Sequence, residues 1–402
     1  MKATFATGPE VLRHEVLGRD DVPDDELARI VAALWQVPAV TLLDSTAETV
    51  AYDVLSILTG ARTWVRGHGD DGTGPRDFTL FVKRVHSWRH SPAFAFVPPE
   101  IAEWAATSLP WRGEPLVYAS DLADRLPAGL TMPRGLRIEE HPDETAVLWL
   151  EAVDCDPVPW TADDSVRAAR LLGRLSGSPR VAPLAGIDRQ PWHIDWFVTG
   201  RIAHTVLPGL HDDATWRHPA VAEHFGDLRG GLTAVASRLG ELAADFAATP
   251  HLASHGDACP NNLLRRPGDP GFTLIDFAFW RPQPVGFDLS QLLVGDIQLG
   301  RQDVADLPER AEACVEAYVA GLADEGVDMP LEQVRRSHAV SLMLFNGLPS
   351  LPTEMLQEEV ALEAAGGVTD EFRAAFDHWA RQRSGIARYA LDVLERTEPD
   401  AG

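Results

Sequence analysis

Residues 23–36, Pro-Asp-Asp-Glu-Leu-Ala-Arg-Ile-Val-Ala-Ala-Leu-Trp-Gln, open on proline and acids and continue with apolar residues at helical spacing, which predicts a helix carrying its own N-terminal cap. From Glu48 the pattern changes. Val50 to Leu58 is rich in β-branched and aromatic residues, Thr59-Gly60 breaks it, and Thr63–Arg66 follows as a second short strand. After a Gly- and Asp-rich turn over 67–76, Phe78–Val85 reads as a third strand, so this part predicts an antiparallel meander. Residues 98–126 read mainly as helix interrupted near Pro110, and Ala146–Val153 reads as another strand. The Pro- and Asp-rich stretch up to Pro159 marks the best boundary. Beyond it the pattern is helical over 162–175, 218–247, 308–324, 330–345 and 371–396, interrupted by short strands and turns over 252–290. Strands first and helices afterwards predict an α+β protein of two lobes. No internal repeat is present.

Composition narrows the function classes. With 402 residues and 45 % hydrophobic content the chain has ample material for a large core, and 35 Lys and Arg against 60 Asp and Glu give a net charge of 35 − 60 = −25. So acidic a surface repels nucleic acid and anionic membranes, attracts cationic ligands and favours Mg²⁺. Cys155, Cys259 and Cys314 are widely spaced with no CxxC pair, which argues against a disulfide framework or a structural zinc site. No signal peptide and no membrane span are expected from the apolar runs, so a cytoplasmic location is the default expectation.

The chemistry is concentrated in Ser254-His255-Gly256-Asp257-Ala258-Cys259-Pro260-Asn261-Asn262-Leu263-Leu264. Fourteen residues past Asn262 lies Asp276, at the end of the apolar run Thr273-Leu274-Ile275, and Gly286-Phe287-Asp288-Leu289 closes the set. Phosphoryl transfer needs a carboxylate to orient the attacking hydroxyl and oxygen ligands that hold Mg²⁺ across the phosphates. Asp257, Asn262 and Asp276 supply that inventory, with Asp257 placed as the base.

The stretch resembles the HGDxxxxN motif of the aminoglycoside phosphotransferase and choline kinase superfamily, which has the protein-kinase-like fold. Ile275-Asp276-Phe277 resembles that family's metal-binding Asp, and Gly286-Phe287-Asp288-Leu289 its downstream Asp that braces the catalytic loop. The resemblance implies a small antiparallel N-lobe and a larger helical C-lobe, with Asp257 as catalytic base, Asn262 and Asp276 as Mg²⁺ ligands, and His255 and Asp288 as structural residues. It covers roughly residues 48–350. One departure is local: where family members often carry Leu-His-Pro-Gly, this chain has Ala258-Cys259-Pro260-Asn261, which keeps the proline and the spacing. The expected organisation is an N-terminal helical extension over 1–47, an N-lobe over 48–153 and a helical C-lobe over 154–402.

The kinase-like fold asks for a phosphate-pairing lysine on the third strand, and Lys83 in Phe81-Val82-Lys83-Arg84-Val85 fits. Gly67-His68-Gly69-Asp70-Asp71-Gly72 matches GxGxxG literally. A strand follows it rather than a helix, and only ten residues separate Gly72 from Lys83, so it is read as a β-turn. The phosphate-covering loop is placed instead at Thr59-Gly60-Ala61-Arg62-Thr63, with Thr59, Gly60 and Arg62 toward the nucleotide. Glu114, in a Glu-xxx-Tyr pattern with Tyr118, is the expected partner of Lys83, and Glu100 and Glu103 are its rivals. Residues 148–153 resemble the hinge strand whose backbone holds adenine, which singles out Leu150 and Ala152, with Glu151 at an acidic hinge position. The implied cofactors are ATP or GTP with Mg²⁺.

The expected acceptor is a hydroxylated small molecule (antibiotic, sugar or amino alcohol). Trp192, Asp195, Trp196, Glu358 and Glu359 are candidates to frame it, against the alternative of core tryptophans and solvated acids. A kinase acting on Ser or Thr of a peptide is the second reading, weakened because only eleven residues lie between Asp276 and Asp288. A nucleotide-binding module without catalysis sits poorly with the full set Lys83, Asp257, Asn262 and Asp276. A metallohydrolase reading of His251, His255 and Asp257 leaves Asn262 and Asp276 without a role.

Overall fold

Residues 75–86 alternate apolar and polar side chains, and this strand lies inside a six-stranded sheet with a buried core on one face. The computed structural model describes residues 11–51, 56–97, 99, 102–155, 160–190, 192–364 and 367–398. Glu100, part of the expected first strand (52–55) and part of the expected boundary (156–159) lie outside them. The chain divides into two units: Met1–Val158 with Gly186–Gln190 and Leu264–Trp280, and Pro159–Ala185 with Pro191–Leu263 and Arg281–Gly402.

The first unit holds strands β1 (Val11–Leu12), β2 (Thr41–Thr49), β3 (Thr59–Asp70), β4 (Pro75–His86), β5 (Leu130–Thr131), β6 (Gly135–His141) and β7 (Thr145–Glu151). The large sheet has the order β1-β2-β3-β4-β7-β6, and neighbouring strands are antiparallel throughout. β5 pairs in parallel with Phe272–Leu274, which carries the chain toward Asp276. On one face of the sheet, Leu80, Val82 and Trp149 pack against Leu27, Ile30 and Val31 of the helix Asp24–Trp35. That helix has the acidic first turn its sequence predicts.

The meander is present with a shifted frame. Its first strand is Thr41–Thr49, and of the expected strand over 50–58 the described residues 51 and 56–58 lie outside any strand. Thr59, Gly60 and Arg62, expected in a turn, are the opening residues of β3, because the ladder to β4 continues through them with a bulge between Thr59 and Ala61. The GxGxxG match is a property of the sheet rather than a turn alone. A Cβ at Gly67 would lie 2.2 Å from the Asp44 carbonyl opposite a bulge, and one at Gly69 would lie 3.0 Å from Trp35. Only Gly72, at φ +94°, belongs to the turn between β3 and β4. The edge strand β6 was not anticipated. The expected helix over 98–126 comprises Ala102–Ser108, Gly113–Ala119 and Leu122–Arg125.

The second unit is mainly helical. Thr161 and Asp164 form a reciprocal capping box that starts the helix Ala162–Gly177. This helix crosses Leu307–Asp324 at very short range: a Cβ on Gly173 would lie 2.1 Å from the Tyr318 carbonyl, and one on Gly321 2.0 Å from the Arg170 carbonyl. The region read as one helix over 218–247 is three, Pro219–Phe225, Arg229–Ser237 and Leu239–Ala248, parted at Gly226 and Arg238. The helix Leu331–Leu342 runs into a π-helical turn over Met343–Gly347, and the long helix Asp370–Arg396 is capped by Thr369. No helix among the described residues is long and apolar enough to cross a membrane.

Two outcomes follow from this packing. Gly173→Val forces the two helices apart, and we expect a loss of about 1–3 kcal/mol or more in urea unfolding, with circular dichroism reporting the transition. His338 is 3 % exposed, and burial pushes its pKa down from 6.5 to about 4. The unfolded chain therefore takes up this proton first as pH falls. Stability from this residue is complete above pH 6.5 and is lost down to pH 4, by about 3 kcal/mol in all. Unfolding measured at pH 7 and pH 4 is expected to drop by about that much less in His338→Leu than in the parent protein.

Candidate functional site

Lys83 lies on β4 opposite Arg62 of β3 and Leu148 of β7, three residues from the strand end. Its neighbours in sequence, Val82 and Arg84, point to the other face, so Lys83 turns away from the apolar core beneath the N-terminal helix. Its Nζ donates to Glu114 Oε2 at 2.6 Å and to Asp276 Oδ1 at 3.0 Å. The side chains of Lys83 and Glu114 are 5 % and 2 % exposed, whereas that of Asp276 is 30 % exposed. Burial pulls the Lys83 pKa down, and the two carboxylates more than reverse it, so the ammonium is held charged. Burial pushes the Glu114 carboxyl upward against the pull of Lys83.

Local sequence explains how these three meet. Gly113 begins the helix Gly113–Ala119 where a Cβ would sit 3.4 Å from the Ala278 carbonyl, so the helix lies close to the segment that carries Asp276. Tyr118, one turn after Glu114, packs edge-on against Phe277 with ring centroids 5.7 Å apart. Asp276 itself has φ +63°, a left-handed conformation that Asp tolerates better than most residues. Backbone held in such a region stores energy of order 1–3 kcal/mol and clusters at functional positions. Of the rivals for Lys83, Glu103 is 80 % exposed and bonds Arg89 at 2.7 Å, and Glu100 lies outside the described residues. On the expected hinge, Leu150 is buried, Glu151 bonds Arg134 at 3.0 Å and Ala152 follows the end of β7.

The second unit contains the HGDxxxxN segment. The strand His251–Ser254 pairs antiparallel with Arg281–Pro284, and the chain then turns at Gly256, φ +84°. The Asp288 carboxylate accepts the backbone N–H of His255 at 2.9 Å and of Gly256 at 2.8 Å. Asp288 is 2 % exposed and opens the helix Asp288–Gln298, where the helix dipole favours an anion. His255 is fully buried beneath the loop. Asn262 Nδ2 donates to the Asp257 carbonyl at 2.8 Å and to Asp257 Oδ2 at 3.1 Å, which fixes the rotation of that carboxylate. Asn262 and Asp276 thus belong to different units, each placed by its own neighbours.

Tyr318 was not singled out by the sequence, where it is one apolar position among many in a helix. Its buried hydroxyl bonds Ser176 and the backbone of Gly286, two residues before Asp288, which steadies the brace. Cys259 is half-buried, its position facing Gly295.

The acceptor candidates separate. Trp192 packs among Phe246, Phe345 and the Arg281 guanidinium, each about 6 Å away by ring or charge centre, and is a packing residue. Asp195 and Glu358 are exposed, and Trp196 meets His193 edge-on at 5.3 Å. Glu359 is buried and pairs with His218 Nε2 at 2.8 Å. This pair lines a cavity of about 970 Å³ within the second unit, between Asp212–Phe225 and the helices after Pro352, with Glu223, Glu363 and Asp377 in its walls. The 204–223 side of that cavity had no sequence signal beyond scattered acids.

A model of the phosphotransferase enzyme family matches residues 122–327. Among solved structures, the chain is similar to an aminoglycoside phosphotransferase from Alicyclobacillus acidocaldarius at 15 % identity and TM-score 0.47, covering 86 % of this chain and 94 % of that one. It is similar to an amicoumacin kinase at 14 % identity and TM-score 0.44, covering 94 % and 96 %. It is also similar to an ethanolamine kinase from Plasmodium vivax at 14 % identity and TM-score 0.42, covering 83 % and 81 %. No curated protein matches the chain by sequence.

Asp288→Ala leaves two N–H groups without their acceptor, at about 1–3 kcal/mol each. We expect lowered stability in denaturant and at least a tenfold loss of phosphotransfer rate, read from an unfolding curve and a turnover assay on the same preparation.

Proposed function

We propose, from the premise that this chain belongs to the phosphotransferase enzyme family, that it moves the γ-phosphate of ATP to a hydroxyl of a cationic small molecule. The observation that carries the nucleotide half of this reading is Lys83, a buried ammonium held between Glu114 and Asp276. Such a lysine pairs with the α- and β-phosphates in kinase-like sites, and its carboxylate partner on a helix fixes its reach.

The donor set also suits a hard divalent cation. Asp276 offers a partly exposed carboxylate, and Asn262, with its amide nitrogen engaged by Asp257, offers an amide oxygen. Bound there, Mg²⁺ would neutralise charge on the phosphates. GTP fits the same donors, and the purine preference would rest with the backbone at Leu150 and Ala152. Asp257, its carboxylate rotation fixed by Asn262, orients the acceptor hydroxyl and receives its proton. Asp288 and His255 keep the loop in shape and do not touch the reacting atoms. The first unit would act as the nucleotide lobe and the second as the catalytic and acceptor lobe.

For the acceptor, the cavity beside Glu359 and His218 supports a cation: Asp212, Glu223, Glu359, Glu363 and Asp377 line it against Arg217 and Arg373. Five acids against two arginines in one cavity favour an amine-bearing ligand.

A nucleotide-consumption screen with Mg²⁺ against hydroxylated amines, sugars and antibiotics tests the proposal, with Asp257→Ala as blank. The expected result is a product heavier by one phosphate, absent from the blank. Asp257→Ala should retain nucleotide binding while losing turnover by about 10³-fold or more, whereas Asp276→Ala should weaken binding of the Mg²⁺-nucleotide itself. Turnover retained by Asp257→Ala would sink the assignment.

A further inference from the structure

The HGDxxxxN loop is held at its start by Asp288, the first residue of the helix Asp288–Gln298. The same helix meets the loop again farther along. Gly295, about 10 Å up the helix axis from Asp288, faces the middle of the loop. A Cβ on Gly295 would lie 2.8 Å from Cys259 Cβ and 3.3 Å from Pro260 Cδ.

The end of this helix then turns a cation toward the loop. Gly300 has φ +66°, its N–H bonds the Ile297 carbonyl at 3.0 Å, and the Arg301 N–H bonds the Asp296 carbonyl at 2.8 Å. This pair of bonds closes the helix around a left-handed residue, a cap that glycine forms readily because it has no Cβ. An apolar contact between the two side chains flanking such a cap often completes it. Here those two positions hold Asp296 and Arg301, 3.6 Å apart. Asp296 is 5 % exposed; burial pushes its carboxyl pKa up, and Arg301 and Arg310 pull it back. The Arg301 guanidinium is thus anchored by a buried carboxylate at a helix C-terminus whose dipole favours a cation.

From that anchor Arg301 Nη1 donates to Asn261 Oδ1. Asn261 is the middle residue of the 3₁₀ turn Pro260–Asn262, in which the Asn262 N–H bonds the Cys259 carbonyl at 2.9 Å. The next residue is Asn262, whose amide nitrogen fixes the rotation of the Asp257 carboxylate. Asn261 and Cys259 are also positions where the loop departs from the Leu-His-Pro-Gly that it otherwise resembles. A glycine in place of Asn261 would give an arginine nothing to hold. The two departures are the residues that meet this helix and its cap, Cys259 at Gly295 and Asn261 at Arg301.

We propose that Arg301 is a positioning residue for phosphotransfer, an inference that rests on the phosphotransferase reading above. It acts through Asn261 and not on the reacting atoms. By holding the middle of the turn it sets the Asn262 amide, which orients Asp257 and would offer its oxygen to the metal. Asp288 and Arg301 then brace the two ends of one loop from the two ends of one helix.

Four variants of the full chain test this: Arg301→Ala, Arg301→Lys, Asn261→Ala, and Arg301→Ala combined with Asn261→Ala. Amide hydrogen exchange over residues 258–263 is followed in nucleotide-free protein, and Mn²⁺ affinity with ADP present is measured by paramagnetic resonance. Arg301→Ala also unpairs Asp296, so Asn261→Ala, which leaves that pair intact, is the variant whose folding is safe, and its urea midpoint should match the parent's. Both single alanine variants are expected to speed exchange in the loop about tenfold and to weaken Mn²⁺ binding about tenfold. Arg301→Lys, which keeps a donor, recovers part of both effects. The double variant is no worse than the worse single one, because both changes remove the same bond. Parent-like exchange or parent-like Mn²⁺ affinity in Asn261→Ala, or effects that multiply in the double variant, would overturn the proposal alone. A parent protein that binds no Mn²⁺ with ADP would overturn the phosphotransferase reading and the proposal with it.

Discussion

A buried ammonium is stable only where carboxylates meet it, and Lys83 meets two. Much of the first unit is arranged to allow that meeting. β4 must run between β3 and β7 so that the lysine is shielded on both sides, and the helix Gly113–Ala119 must lie close enough to bring Glu114 within 2.6 Å. The parallel pairing of β5 with Phe272–Leu274 delivers Asp276 to the same point from a segment almost two hundred residues away in sequence. Removing one carboxylate would leave the charge only half compensated in a dry site. The two differ in exposure: Glu114 is sealed in beside the lysine, whereas Asp276 is partly open to solvent.

The second unit solves a different problem, which is to keep a polar loop in one shape. Asp288 does this with two hydrogen bonds to consecutive backbone N–H groups, from a position where the helix dipole already favours its charge. Tyr318 and the short helix crossing at Gly173 and Gly321 lie behind it. The loop is therefore braced from the helix packing behind it.

The contact between Asp257 and Asn262 was legible in the sequence because their spacing is local: it is five residues, and both sit in the loop held by Asp288. Lys83 and Glu114 were legible because a strand and a helix with the right partners surround them. The strand frame was less so. β2 reads Thr-Leu-Leu-Asp-Ser-Thr-Ala-Glu-Thr, mostly polar, with Glu48 buried against Arg66 and Leu43 exposed, so the more apolar 50–58 drew the assignment one element too far. β6, Gly-Leu-Arg-Ile-Glu-Glu-His, is an edge strand whose charges are used in pairs such as Arg137 with Glu26, and no fully buried face marks it as a strand. The turn placed at Thr59–Thr63 failed because a glycine in a bulged ladder looks the same in sequence as a glycine in a turn. The pairing of Glu359 with His218 was only half legible, since the acid was visible and its partner, well over a hundred residues earlier, was not.

Three cations or potential cations within four positions of one strand, Lys83, Arg84 and His86, would be a poor strand on an isolated surface. Alternation resolves it by sending Lys83 to Glu114 and Asp276 and sending Arg84 to Asp20. The N-terminal segment is what makes the second destination available, since Arg19 and Asp20 belong to it. A chain that began near residue 48 would carry Lys83 and its partners but would leave Arg84 and His86 facing solvent.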